Sequence, residues 1–291
     1  MIAYNPKAWF TFLFRLHKSD TIRQLMPLML ALAAYAWLIA FLELEYWKLS
    51  DDSRIRNLTV MHTLLGFVIS LLLVFRTNTA YDRWWEGRKL WGALVNNSRN
   101  LALKLNSTLP PSDESDRMFF KRTIALYAKT LSAHLHTEAT RMALAETQSE
   151  SETLDPDKHL PNQVASRLFA RLYRLHADGV IKDVHLRLLN AEMQSLADIC
   201  GACERIKNTP IPYSYSVFIK KFVFFYVMTM PFGFVFTLGY WVIPVVVFVF
   251  YVLASLELIA EEIEDPFDGD VNDLPTRKIA ESIGRHVAEL L

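Results

Sequence analysis

Two cysteines three residues apart are the first side chains in this sequence that could carry chemistry. Cys200 and Cys203 form the sequence C-G-A-C, and a C-x-x-C pair can be redox-active or supply half of a zinc site. No second pair follows, because these are the only two cysteines, and the flanking apolar residues have helical spacing. We therefore expect both thiols to pack within a helix. The absence of a disulfide framework fits a reducing compartment.

A histidine and a carboxylate one helical turn apart form a second candidate site. His134 and Glu138 stand at positions i and i+4, which places them on one face of a helix. Such a pair is a possible edge of a metal site, but no third ligand is evident in the sequence. We expect a solvated helix surface at this position.

An acidic segment near the end of the sequence is a third candidate. Four aspartates lie close together there: Asp265, Asp268, Asp270 and Asp273. Asp268, Asp270 and Asn272 match the first three ligand positions of a calcium loop. However, Asp273 occupies the position of the turn glycine, and Ile279 that of the bidentate glutamate. The segment is therefore no EF-hand, and it predicts at most a weak calcium site.

Long apolar segments decide the class of protein that holds these residues. Leu25 to Leu44 contains one charge, Glu43, and Leu58 to Phe75 contains none. Phe222 to Leu256 is uncharged over 35 residues, which is too long for one straight crossing of a bilayer. Because Gly239 lies near its middle, we predict two spans joined by a tight turn at Gly239 to Trp241. The sequence thus predicts four transmembrane helices.

The distribution of basic residues predicts the direction of these spans. Basic residues precede the first span, follow the second and precede the third: Arg15, Lys18, Arg23, Arg76, Arg83, Arg88, Lys89, Arg205, Lys207, Lys220 and Lys221. The loop between spans one and two has little net charge, and the last turn has none. By the positive-inside bias, both termini are cytosolic. No cleavable signal peptide is visible.

The chain is accordingly divided into five segments. Residues 1–24 form an interfacial and cytosolic segment, and residues 25–88 hold the first two spans. Residues 89–215 form a helical cytosolic body, which is charged and has apolar residues at helical spacing. Residues 216–256 hold the last two spans, and residues 257–291 a cytosolic helix with the acidic loop. The predicted fold class is an all-α, polytopic membrane protein.

Two interruptions are predicted inside the cytosolic body. Pro110 and Pro111 end one helix, because proline removes a backbone donor and restricts the residue before it. Residues 146–163 are polar and contain two prolines, which is typical of a loop.

The second span has the most unusual sequence, because it leads directly into the charged and tryptophan-rich segment 76–92. No Pro and no Gly occurs before Gly87, so we predict that the helix continues beyond the bilayer. Two stripes then lie on it at helical spacing: Phe67, Leu71 and Phe75, followed by Tyr81, Trp84, Arg88 and Trp91. Both stripes could be ordinary packing. Alternatively, the first lines a pore and the second anchors the helix to the cytosolic body.

The sequence LLGFVISLLLVFRTNTAYDRWWEGRKLWG resembles the second-span signature of bestrophins, in particular the bacterial members. LNAEMQSLADICGACERIKNTPIPYSYSVFI, ELIAEEIEDPFDGDVNDLP and the aromatic N-terminus agree with the same family. These segments occur in the family's order and cover most of the chain, with 146–163 as the main exception.

The resemblance implies a homopentameric ion channel of the bacterial inner membrane, whose second spans surround a central pore. Phe67, Leu71 and Phe75 would form the apolar neck, and Val184, in IKDVHLRLL, the cytosolic aperture. The permeant ions would be monovalent, with anions such as chloride expected and sodium-like cations as the alternative. The partners implied are other copies of the chain, membrane lipid and these ions. A net charge of zero gives no reason to expect nucleic acid.

Further alternatives concern the acidic segment and the class of protein. In animal bestrophins a denser aspartate run after the last span helps to hold calcium. Here the segment could instead be a helix-capping, subunit-contacting loop with Asp265, Pro266 and Phe267 as its fixed core. No other cofactor is implied. A membrane-tethered redox protein using Cys200 and Cys203 and a scaffold protein are the hypotheses from other classes.

Overall fold

The computed structural model describes residues 21–48, 58–136, 154–155, 157–270 and 272–291. Over these ranges the secondary structure is helical, without a strand. The α-helices are α1 (Thr21–Phe41), α2 (Leu58–Thr108), α3 (Glu114–Leu135), α4 (Leu160–Ala177), α5 (Asp183–Asn208), α6 (Tyr213–Leu238), α7 (Val242–Glu264) and α8 (Thr276–Leu290). A π-helical turn, Leu42–Tyr46, follows α1, and a 3₁₀ turn, Gly239–Trp241, joins α6 to α7. Most of the predicted N-terminal interfacial segment lies outside the described residues.

The chain packs as two compact units. The first, which we call the apolar unit, comprises the described residues up to Asp82 together with Pro210–Glu264. The second, the polar unit, comprises Arg83–Thr209 and Asp265–Leu291. Helix α2 contributes residues 58–82 to the apolar unit and its remaining residues to the polar unit. The units are defined by packing, so the predicted boundaries relative to a membrane stay a prediction.

Three stretches of the described chain are long and apolar enough to cross a membrane. They are Thr21–Tyr46, Leu58–Thr108 and Tyr213–Glu264. The third contains α6 and α7, and the helix changes to 3₁₀ geometry at the turn predicted from the sequence. Gly239 has a φ of +54° there, a conformation that costs glycine little because it has no Cβ. The count of four spans remains a prediction.

Close approach of helices characterises the apolar unit. Helix α1 packs on α7 and α6, and α6 packs on α7. Ala36 and Ala40 of α1 are fully buried at these contacts, as expected where small residues let apolar helices come together. Thr59 at the start of α2 donates from its hydroxyl to the carbonyl of Gly233 at 3.1 Å, which holds α2 against α6.

The polar unit has a continuous aliphatic and aromatic core. Helix α3 packs on α8 and α4, and α4 packs on α5. Trp91, Phe120, Tyr127 and Phe267 are the large aromatic residues buried within this core. The hydroxyl of Tyr127 donates to the carbonyl of Leu196 at 2.7 Å, so its polar atom is satisfied inside the core.

One predicted interruption in this unit is confirmed and the other is corrected. Helix α2 ends at Thr108, just before the two prolines, and α3 begins at Glu114. The polar loop, in contrast, does not extend to residue 163, because α4 begins at Leu160. Pro161 is tolerated in the first turn, where its missing N–H would have no helical acceptor, and the His159 side chain caps the helix by accepting from the Asn162 N–H.

Candidate pore-lining helix

Helix α2 is continuous over 51 residues, from Leu58 to Thr108. The prediction that the second span continues through residues 76–92 is therefore confirmed. The polar side chains that follow the apolar segment do not disrupt the helix, because their hydroxyls bond back to it. Thr77 donates to the carbonyl of Leu73 at 2.8 Å, and Thr79 to that of Phe75 at 2.9 Å.

The two faces of this helix differ in burial. Ile69 and Leu73 face the interior of the apolar unit and are buried. Phe67, Leu71 and Phe75 lie on the opposite side and are 73%, 45% and 56% exposed. The chain's own described residues therefore leave the predicted neck stripe largely uncovered. A pore lining, a subunit contact and a lipid-facing surface all require such exposure, so the assignment to a neck stays a prediction.

Arg76, the residue after the stripe, points to the buried side of the helix. Its Nη2 lies 2.7 Å from Glu264 Oε2, and its Nε lies 3.3 Å from Glu257 Oε1. Glu264 also accepts from the Ile211 N–H at 2.6 Å through its other oxygen. Arg76 is thus an internal ion-pair partner of α7, and its charge does not lie on the stripe. No local signal in the sequence points to either glutamate, because both lie far from Arg76 along the chain.

Beyond Asp82 the aromatic and charged residues of α2 hold the polar unit together. The Arg83 guanidinium donates to the carbonyls of Thr209 and Ile206 at 2.6 and 2.5 Å, which caps the C-terminal end of α5 with a cation. Trp84 donates from its indole N–H to the Asn272 carbonyl at 3.2 Å. Trp91 is fully buried. Of the second predicted stripe, Trp84 and Trp91 therefore anchor the helix to the polar unit, whereas Tyr81 and Arg88 are exposed.

The predicted aperture residue lies at the start of another helix. Val184 is the second residue of α5 and is 68% exposed. Leu188, one turn later, is also exposed. The described residues of the chain leave this apolar edge uncovered, and its role as an aperture stays a prediction.

The acidic segment is a local turn that packs on α2. A Cβ at Gly87 would lie 3.1 Å from both the Phe267 ring and the Pro266 ring, so this glycine lets the segment approach the helix. Asp265 accepts from the Phe267 N–H at 3.2 Å through Oδ1. Phe267 itself is buried. This arrangement fits the predicted core of Asp265, Pro266 and Phe267.

Two of the four carboxylates of this turn, those of Asp265 and Asp273, accept hydrogen bonds from backbone N–H groups. Asp273 is buried, and its Oδ2 accepts from the N–H groups of Gly269 and Asp270 at 2.7 Å each. Burial raises the pKa of Asp273 to about 7 and also raises the pKa of Asp265. Within the part of the chain that the structure describes, Asp265, Asp268, Asp270 and Asp273 do not form a group of three converging ligands. Calcium binding stays untested.

Both cysteines are buried free thiols inside α5. Burial raises the pKa of each thiol to about 12, so both are protonated at neutral pH. A redox-active cysteine requires the reverse, a lowered pKa and access to solvent. The arrangement agrees with the expected packing role.

His134 lies on a partly exposed helix surface, but it has a partner there that was not expected from the sequence. Its Nε2 lies 2.7 Å from Glu204 Oε1, and His159 Nε2 is hydrogen-bonded to the same oxygen. Although burial alone would raise it, the bonds from His159 and His134 hold the pKa of Glu204 below its ordinary value. Glu138 lies outside the described residues. The sequence drew attention to His134 but gave no signal for a partner 70 positions away.

The chain is similar to known proteins over the residues of both units. A family model described as bacterial/fungal bestrophin protein matches residues 1–289. A voltage-dependent anion channel-forming protein of Nostoc sp. is 36% identical over 230 residues, which cover 77% of this chain and 75% of that protein. A protein of the same description from Mesorhizobium japonicum is 31% identical over 272 residues, which cover 93% and 86%. The crystal structure of a bacterial bestrophin homologue from Klebsiella pneumoniae, with one substitution, gives a TM-score of 0.80 at 26% identity and covers 91% of this chain and 98% of that chain.

Proposed function

This chain belongs to the bacterial and fungal bestrophin family, and we propose that it conducts monovalent anions such as chloride across the bacterial inner membrane. The observation that carries the proposal is the likeness to proteins described as voltage-dependent anion channel-forming. The family and these relatives are channels and not enzymes, so the redox hypothesis is dropped. Basic residues on one side of the predicted spans support cytosolic termini.

The proposed pore is formed by five chains, with α2 of each chain facing the axis. Support comes from the two faces of that helix: one is buried within the chain, while the other carries Phe67, Leu71 and Phe75 uncovered. An apolar ring offers no ligands to replace the hydration shell of an ion. It passes hydrated ions when wide and excludes water when narrow, so the neck acts as the gate.

Val184 is the proposed second constriction, at the cytosolic end of the pathway. Its exposed position at the N-terminus of α5 supports this role. A single apolar residue contributed by each of five chains would form a short apolar ring there.

Conduction of monovalent cations is the second candidate, and one observation favours it. Arg76, the first basic residue after the stripe, is buried against Glu257 and Glu264. Its positive charge is therefore compensated and cannot raise the local concentration of anions. On this alternative the channel has the same architecture and differs only in the sign of the permeant ion.

The test of the pore is an alanine substitution in the stripe. We expect Leu71→Ala to raise single-channel conductance or open probability, because it removes the middle ring of the neck. Purified protein in planar bilayers provides the measurement. Leu30→Ala is the matched control, since Leu30 is an exposed leucine of α1 and lies outside the stripe.

Unchanged currents in all three single variants Phe67→Ala, Leu71→Ala and Phe75→Ala would contradict the neck. A change in oligomeric state in place of a change in current would assign the stripe to packing between subunits. A wild-type protein that passes no ions would favour the scaffold hypothesis.

A further inference from the structure

A cluster of two imidazoles and a carboxylate lies in the polar unit, outside the proposed pore. His134 lies in the last turn of α3, His159 at the N-cap of α4, and Glu204 on α5. Three separate helices thus bring one ligand atom each to within 4.8 Å of one another. The imidazole rings lie 4.4 Å apart between centroids. All three side chains are partly exposed, so an ion can reach them from solvent.

We propose that His134, His159 and Glu204 bind a divalent transition metal ion of the zinc type. Two imidazole nitrogens and one carboxylate oxygen form a donor set that suits zinc, cobalt and nickel better than calcium or magnesium. Three protein ligands leave a fourth position for water. The ion would cross-link α3, α4 and α5, so its binding would stabilise the polar unit.

Binding of the ion requires a change in the spacing of the ligand atoms. His134 Nε2 and Glu204 Oε1 are 2.7 Å apart, a hydrogen-bond distance. Ligands about 2.0 Å from a tetrahedral zinc are separated by roughly 3.3 Å, so the atoms move apart by about half an ångström. In the metal-free cluster, protons on the two Nε2 atoms occupy the place of the ion.

His159 also has to change its tautomer. Its Nδ1 accepts from the Asn162 N–H at 3.1 Å, which leaves the proton of the neutral ring on Nε2. A metal ligand needs the Nε2 lone pair, so the proton moves to Nδ1 and this single capping bond is given up. Substitution of His159 by Asn removes the imidazole and keeps a good N-cap residue. It therefore separates the ligand role from the capping role.

The test is direct binding of zinc to the purified, untagged, full-length protein in detergent. After treatment with chelator, equilibrium dialysis against Zn²⁺ and elemental analysis should find one zinc ion per chain. Cobalt should give the visible absorption of a site with nitrogen and oxygen ligands, and zinc should raise the melting temperature. None of these measurements depends on ion conduction, so they remain informative whether or not the protein is an anion channel.

His159→Asn and Glu204→Gln should each weaken zinc binding by at least about tenfold, because loss of an outer-shell partner alone costs 10- to 100-fold. His176→Gln is the control, since His176 lies in the same unit but is bonded to Ile181 and Asp183. If His159→Asn fails to fold, His134→Gln takes its place. Absence of zinc from the wild-type protein, or equal binding by Glu204→Gln, would overturn the proposal and leave a hydrogen-bonded cluster only.

Discussion

Arg76 is a buried cation whose surroundings set the electrostatics where the apolar part of α2 ends. It is paired with Glu257 and Glu264, so the group of three has no net positive charge. Buried pairs add little net stability but are costly to break, because one partner is then left buried and uncompensated. Arg76 therefore fixes α2 against α7, and an anion preference of the channel must arise elsewhere along the pathway.

Asp273 provides a prediction at the scale of a single residue. Its pKa is raised to about 7 by burial, above the value near 3.9 of an unfolded aspartate. The protonated form is favoured in the folded state, so its stabilising effect is present below about pH 4 and is lost as pH rises through about 7. The free energy of unfolding changes by up to about 4 kcal/mol between these two pH values. Asparagine stays uncharged at every pH. Asp273→Asn should therefore abolish this pH dependence and raise the melting temperature at pH 8.

Thermal unfolding of both proteins between pH 5 and pH 8 measures this difference. Asp198→Asn is the control, because Asp198 is an exposed carboxylate of α5 in the same unit and should leave the pH dependence intact. The same experiment with calcium or chelator addresses the acidic segment, and we expect no effect of calcium. A pH profile identical in wild type and Asp273→Asn would contradict the raised pKa of Asp273. If calcium raised the melting temperature of the wild type but not that of Asp268→Ala, the acidic segment would be a calcium site.

Helix α2 carries the proposed pore lining, and its packing against α6 can be tested at Gly233. A Cβ at Gly233 would lie 3.1 Å from the backbone nitrogen of Thr59 and 3.4 Å from the carbonyl carbon of Leu58. Backbone atoms cannot rotate away, so Gly233→Ala should separate α6 from the start of α2 and lower stability by about 1–3 kcal/mol. A melting curve in detergent measures this loss.

Gly201→Ala is the matched control for this prediction. Gly201 lies within α5 with no atom within 4 Å of an added Cβ, so alanine there should be neutral or stabilising by about 1 kcal/mol through helix propensity. Equal melting temperatures for the two variants would show that the close approach of α2 and α6 contributes nothing to stability.

The helices themselves could be predicted from the sequence. The partners of their charged side chains could not. Continuity of α2 follows from the lack of Pro and Gly between residues 76 and 86, and the turn at Gly239 from the length limit of a span. These are local signals. The pairing of Arg76 with Glu257, and that of His134 with Glu204, joins residues 181 and 70 positions apart. Such pairs depend on how helices pack, which no local spacing encodes.

At the scale of the whole molecule, the exposed apolar stripe of α2 is the surface through which we propose that the chains assemble. Trp91 is already buried within its own chain, so it gives no argument for an oligomer. The case for an oligomer therefore rests on Phe67, Leu71 and Phe75. Contiguous apolar surface of this kind marks contact with protein or lipid.

We expect a homopentamer in mild detergent. Its protein mass should be five times the 33.6 kDa of one chain, and Leu71→Ala should keep that mass if Leu71 lines the lumen as proposed. Light scattering with correction for bound detergent, or native mass spectrometry, provides the measurement. A stable monomer would contradict a pore at the centre of several α2 helices.

The measurement that tests anion conduction most directly is the reversal potential of purified protein in a planar bilayer with asymmetric NaCl. An anion channel shifts the zero-current voltage toward the equilibrium potential of chloride. Protein-free detergent controls and the Leu71→Ala variant show that the current belongs to this pore. We predict a shift with the sign of chloride selectivity. A shift toward the equilibrium potential of sodium would contradict anion conduction and establish the cation alternative.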